Sequence, residues 1–109
     1  MISFASGRRF ASMFNLIINI RGKVYKTGYR YFLKQKASQL KIRGFVSYNE
    51  DGSVNVMATG GKPEMDEFIR QFSNGNKDSL IEDVKIKQIP LQKYTSFEVL
   101  DNVQNLSMK

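Results

Sequence analysis

The stretch from Arg43 to Thr59, RGFVSYNEDGSVNVMAT, decides how the rest of the chain can fold. Its two halves, RGFVSYN at 43–49 and SVNVMAT at 53–59, are rich in β-branched and aromatic residues, and Glu50, Asp51 and Gly52 separate them. Asp-Gly between two such runs is the strongest short-range signal for a β-hairpin. The pattern sends Val54, Val56 and Ala58 to the core and matches them with Phe45 on the partner strand. Ser47 and Asn49 then share the face of Phe45, while Val46 and Tyr48 take the other.

Upstream of the hairpin, Phe14, Leu16, Ile18 and Ile20 alternate with Asn15, Ile17, Asn19 and Arg21, as in a strand with one buried face. A helix follows from about Gly28 to about Lys41, with Thr27 as its cap and Tyr29, Phe32, Leu33, Lys36, Ala37 and Leu40 along one stripe. Downstream, Gly60 and Gly61 end the hairpin. Pro63 suits the first turn of a second helix, in which Met65, Phe68, Ile69 and Phe72 recur at helical spacing up to about Ser73. A strand at about Val84 to Ile89 and a short one marked by Phe97 and Val99 complete the order.

A hairpin between two helices cannot build a doubly wound parallel sheet. The order predicts an α+β, ferredoxin-like βαββαβ sandwich: two helices on one face of a mostly antiparallel sheet, plus a short extra strand. One domain spans residues 14–100, between a basic flexible tail at 1–13 and a C-terminal tail at 101–109. The tail composition, MISFASGRRFASM, is transit-peptide-like in a eukaryotic setting; otherwise a cytoplasmic location is expected.

Composition narrows the chemistry. The chain has 109 residues with no cysteine and no histidine, which removes thiol nucleophiles, thiolate metal sites, the usual zinc sets and the usual neutral-pH base. No metal or cofactor is called for. The apolar run Leu16 to Ile18 is far too short to span a bilayer. Charge is unevenly placed: residues 1–49 carry ten Lys and Arg and no acid (+10), and residues 50–109 carry seven against ten (−3), for a net +7. Such a basic half suits a phosphate-like anion or nucleic acid.

Within that half, residues 20–32, IRGKVYKTGYRYF, run from a strand end through a loop into a helix. Backbone N–H groups converging in a loop, joined to the positive end of a helix, favour an anion, and Arg30 in the first turn can add a two-pronged contact. The residues expected at this anion are Lys23, Val24, Tyr25, Lys26, Thr27, Gly28, Tyr29 and Arg30.

Two motifs together resemble the acylphosphatase family, small ferredoxin-like enzymes that hydrolyse the carboxyl–phosphate bond of acyl phosphates. Gly22, Val24, Gly28, Tyr29 and Arg30 fall into the family pattern G-x-V-Q-G-V-G-F-R. Gly44, Phe45, Val46, Gly52 and Val54, followed by Gly60, fit G-[FYW]-V-[KR]-N-x-x-x-G-x-V and its closing glycine without a gap. The resemblance implies that the loop N–H groups and Arg30 hold the phosphoryl group of a small acyl phosphate or other phosphate-like anion; a monomer is expected. It also implies an asparagine that orients the attacking water, but that position here is Tyr48.

A phenol does not reproduce the donor and acceptor pair of a carboxamide. Asn49 is the neighbouring substitute, yet strand alternation aims it at the opposite face unless a bulge resets the register. Tyr25, Lys26 and Thr27 also replace the Q-G-V of the first motif, and Ser47 replaces the basic residue of the second. A lysine in place of glycine strains the loop if that position needs positive φ. Three readings follow in order: an acylphosphatase weakened by Tyr48, a non-catalytic anion-binding relative, and a nucleic-acid binder. The last is prompted by RGFVSY at 43–48, which is similar to part of an aromatic RNA-recognition signature, with Phe45 and Tyr48 as its stacking groups.

Overall fold

The computed structural model describes residues 13–101. It contains β1 (Met13–Lys23), α1 (Tyr29–Gln39), β2 (Arg43–Tyr48), β3 (Val54–Gly61), α2 (Lys62–Ser73), β4 (Leu80–Ile89) and β5 (Phe97–Val99). The tails expected at 1–13 and 101–109 fall outside the described residues except at Met13, which opens β1, and Asp101.

The five strands form one sheet in the order β4-β1-β3-β2-β5. All neighbours are antiparallel except β2 and β5, which run parallel. Because the hairpin partner β3 lies beside β1, α1 crosses over β3 to deliver β2, and both helices pack on one face. Leu16, Ile18 and Ile20 of β1 meet Val54, Val56 and Ala58 of β3 beneath Tyr29, Leu33 and Ala37 of α1 and Met65, Phe68 and Phe72 of α2. The apolar positions read from helical spacing are thus the ones that close this core.

Three details differ from the expectations. Val46, and not Phe45, enters the core, because the hairpin register pairs Val46 with Val56 and Tyr48 with Val54. Phe45 pairs with Met57 on the face without helices and packs edge-on against Tyr94. β1 is buried on both faces, since it is central: Asn15, Ile17 and Asn19 are also shielded, and the amides find partners in the Thr59 hydroxyl, the Asn55 carboxamide and Ser53. Finally, β4 begins four residues earlier than Val84. Its charged start, Leu80 to Asp83, pairs with β1 across a register shift at Arg21/Gly22 that alternation does not announce.

Gly44, the first glycine of the second motif, has φ +138°, and a Cβ there would lie 1.8 Å from the Met57 carbonyl oxygen. Only glycine lets β2 approach β3 this closely before it runs on to Tyr48.

Candidate functional site

The loop after β1 is built as a cradle. Val24 is buried, and its N–H donates to the Gly22 carbonyl, which turns the chain out of the sheet. Gly28, at φ 77° and ψ 8°, is the residue that opens α1. Thr27 does not cap the helix, because its hydroxyl donates back to the Val24 carbonyl and shares a hydrogen bond with Ser79. The first N–H to close a helical turn is that of Phe32, onto Gly28. The N–H groups of Gly28, Tyr29, Arg30 and Tyr31 consequently have no acceptor among the described residues. No acidic side chain sits in the first turn of α1 to compete for them.

The turn after α2 buttresses this loop. The Asn76 carboxamide donates to the Thr27 carbonyl at 2.9 Å, and the Ser79 hydroxyl reaches Thr27 at 2.8 Å. Neither residue carries a signal in the sequence, since their role arises only when residues 49–52 positions apart meet. Tyr29 anchors the helix from below: its side chain is fully buried and its hydroxyl donates to the Phe72 carbonyl at 2.6 Å. Burial pushes that phenol well above the ordinary range, so it serves as a packed donor.

Arg30, Tyr25, Lys26, Gly28, Tyr31, Tyr48 and Asp101 line one pocket of about 400 Å³. The Arg30 guanidinium donates to the Leu100 carbonyl at 2.9 Å and lies 3.8 Å from the Asp101 carboxylate. Its carbon sits 4.2 Å from the centre of the Tyr48 ring and 5.8 Å from that of Tyr31. The Tyr48 hydroxyl accepts the Lys26 N–H at 2.9 Å, and the Tyr25 ring packs on Tyr48 with centres 4.8 Å apart. The side chain that falls in the motif frame of the asparagine therefore takes the Lys26 N–H and stacks on the arginine expected at the anion.

Of the residues expected at the anion, Tyr25, Lys26, Gly28 and Arg30 share this pocket. Lys23 and Val24 do not, because Lys23 still pairs with Leu80 in the sheet and Val24 is in the core. Thr27 and Tyr29 turn their side chains away, the first to Val24 and Ser79 and the second into the core. Lys26 has φ +59°, the strained backbone that a lysine in place of the motif glycine implies. Asn49 stays on the opposite face of the sheet, where its amide nitrogen donates to Ser53 at 2.8 Å and Asn55 at 3.0 Å. No bulge in β2 brings it round to Arg30. Phe45 and Tyr48 likewise lie on opposite faces, so they do not form one stacking platform for bases. Tyr31, Leu100 and Asp101 were not legible as site residues: the first looks like an exposed helix position, and the others follow the last strand without a motif.

A family model described as acylphosphatase matches residues 16–99, nearly the whole described chain. An acylphosphatase of Pseudothermotoga lettingae is 35% identical over 85 residues, covering 78% of this chain and 96% of that protein. The crystal structure of an acylphosphatase from Bacillus subtilis superposes with a TM-score of 0.77 at 26% identity, covering 81% of this chain and 98% of that one. An acylphosphatase structure from Coxiella burnetii shares the fold at TM-score 0.80 and 20% identity, over 85% of this chain and 98% of that one.

Proposed function

The chain belongs to the acylphosphatase family, and from that membership we propose that it hydrolyses the carboxyl–phosphate bond of acyl phosphates, slowly. The phosphoryl oxygens take the free N–H groups at the start of α1 together with Arg30. Breaking a carboxyl–phosphate bond asks little covalent chemistry of a protein. It asks for in-line placement of water and for charge stabilisation on the equatorial oxygens, which preorganised N–H donors and a guanidinium supply.

The observation that carries the reading of slow turnover is the double engagement of Tyr48, through its hydroxyl to the Lys26 N–H and its ring to Arg30. A dianion entering the cradle must displace or share both contacts. Water then has a phenol beside it, and one acceptor lone pair of that oxygen is already used by Lys26. Loss of one well-placed polar contact at the transition state costs about 3 kcal/mol, or roughly a hundredfold in rate, so an enzyme retaining Arg30 stays active at a reduced level.

The test is hydrolysis of benzoyl phosphate by the purified protein beside its Arg30→Ala and Tyr48→Asn variants. Turnover above the Arg30→Ala blank, raised further by Tyr48→Asn, supports a weakened acylphosphatase. Inorganic phosphate binding without turnover in either background would instead favour a non-catalytic anion-binding relative.

A further inference from the structure

The pocket around Arg30 is larger than a phosphoryl group needs, and the space beyond the cradle is walled by tyrosines. Tyr48 and Tyr31 flank the guanidinium, with ring centres at 4.2 and 5.8 Å, and Tyr25 extends the wall beside Tyr48 at 4.8 Å. Tyr25 and Tyr31 remain 54% and 59% exposed. Neither ring is used by the core, and both border the same opening. Large apolar side chains left half open at the mouth of an anion site are positioned to cover whatever part of a ligand projects out of it.

From this arrangement we infer that the site selects acyl phosphates whose acyl group carries an aromatic ring, with Tyr25 and Tyr31 as the specificity-determining residues. The inference rests on the acylphosphatase reading for the seat of the phosphate and goes beyond it by naming the other end of the substrate. With the dianion on Arg30 and the α1 N–H groups, the acyl group has to leave past Tyr31 on one side and the Tyr25–Tyr48 pair on the other. A flat ring fits that exit by offset or edge contacts. A methyl group would leave both rings in water. A purely structural role for the tyrosines, holding Arg30 in place, would instead affect every phosphate ligand equally.

Two non-hydrolysable analogues separate these cases, phenacylphosphonate and acetonylphosphonate, titrated calorimetrically into the wild-type protein and its Tyr25→Ala, Tyr31→Ala and Tyr31→Phe variants, with inorganic phosphate alongside. The aromatic analogue is expected to bind roughly tenfold tighter than the aliphatic one, as two ring contacts allow. Each alanine variant should cut that ratio to about threefold while leaving the acetonyl compound nearly unchanged, and Tyr31→Phe should keep it. Inorganic phosphate binding with equal affinities for the two analogues, or losses shared equally by both, overturns the specificity inference alone. Absence of inorganic phosphate binding overturns the anion site and the inference with it.

Discussion

The carbon of the Arg30 guanidinium lies 4.2 Å from the centre of the Tyr48 ring, and the same tyrosine takes the Lys26 N–H on its hydroxyl. The two residues most diagnostic for the site thus bind each other. Stacking of a cation on an aromatic ring is worth about 0.5–2 kcal/mol according to how far it is desolvated. Arg30 is largely buried, with 17% of its side chain exposed, so the contact holds it in place at some cost to its freedom to meet an anion.

Removing only the hydroxyl separates the two roles. Tyr48→Phe keeps the ring over Arg30 and releases the Lys26 N–H. Phosphate affinity should rise by roughly two- to tenfold, the worth of one freed N–H donor. Turnover should fall toward the Arg30→Ala level if the phenol oxygen is what positions water. Calorimetry with phosphate and initial rates with benzoyl phosphate read the two effects apart; unchanged phosphate affinity would mean that the Lys26 N–H takes no part in the cradle.

Lys26 and Lys41 share φ 59°, one in the cradle and one just past α1, and both are strained relative to glycine. Replacement by glycine relieves about 1–2 kcal/mol of backbone strain and gives back about 0.5–1 kcal/mol in unfolded-state entropy. Lys26→Gly and Lys41→Gly are therefore both expected to stabilise the fold by about 0.5–1 kcal/mol in denaturant titrations. Only the first should also weaken phosphate binding, because it removes a cation from the pocket wall.

The Asp101 carboxylate lies 3.8 Å from Arg30 and is 89% exposed, so the ion pair adds little stability. Its charge nevertheless opposes an incoming dianion. Asp101→Asn should raise phosphate affinity about two- to fivefold at low salt, and the gain should fade as ionic strength passes physiological levels. A gain that ignores salt would point to a steric effect of the carboxylate instead.

Ser47 stands where the second motif has a basic residue, and its hydroxyl is buried without a hydrogen-bond partner among the described residues. An unpaired buried hydroxyl costs about 1–3 kcal/mol, so Ser47→Ala should stabilise the domain by about 1 kcal/mol. That corresponds to a rise in Tm of about 4–8 °C. Its side chain faces away from Arg30, and activity should not change.

Acid should weaken the hairpin turn. The hydroxyl and N–H of Ser53 donate to the Asp51 carboxylate and, with Arg21 at 3.2 Å, hold its pKa below the ordinary carboxylate range. A depressed carboxyl contributes stability above its unfolded-state value and loses it as pH falls through the folded-state value. The Asp51 carbon resonance should therefore titrate below 3.8, and Asp51→Asn should flatten that part of the acid limb of stability. Half the side chain is exposed, so the effect is small.

The order of elements, the two helical core stripes and the hairpin were legible because each rests on a local period. Leu33 and Ala37, Phe68 and Phe72, and Val54 and Val56 are at spacings that allow one face only. The face of β2 was not legible. RGFVSY offers apolar residues to both sides, and Phe45 outranks Val46 in size; the choice falls to the register against β3, which pairs Val46 with Val56.

Sequence alone determined the glycine and arginine framework: a loop entering a helix at Gly28, Arg30 in its first turn, Tyr48 in the motif frame of an asparagine, and Lys26 in that of a glycine. Those are properties of single positions and of short spacings. Tertiary structure alone decided what surrounds Arg30. Tyr48, Leu100 and Asp101 lie 18, 70 and 71 positions further along the chain, and they reach it because β2 and β5 run parallel at the sheet edge beneath α1. Contacts that span such separations are fixed by strand order and register, which no local pattern of residues encodes.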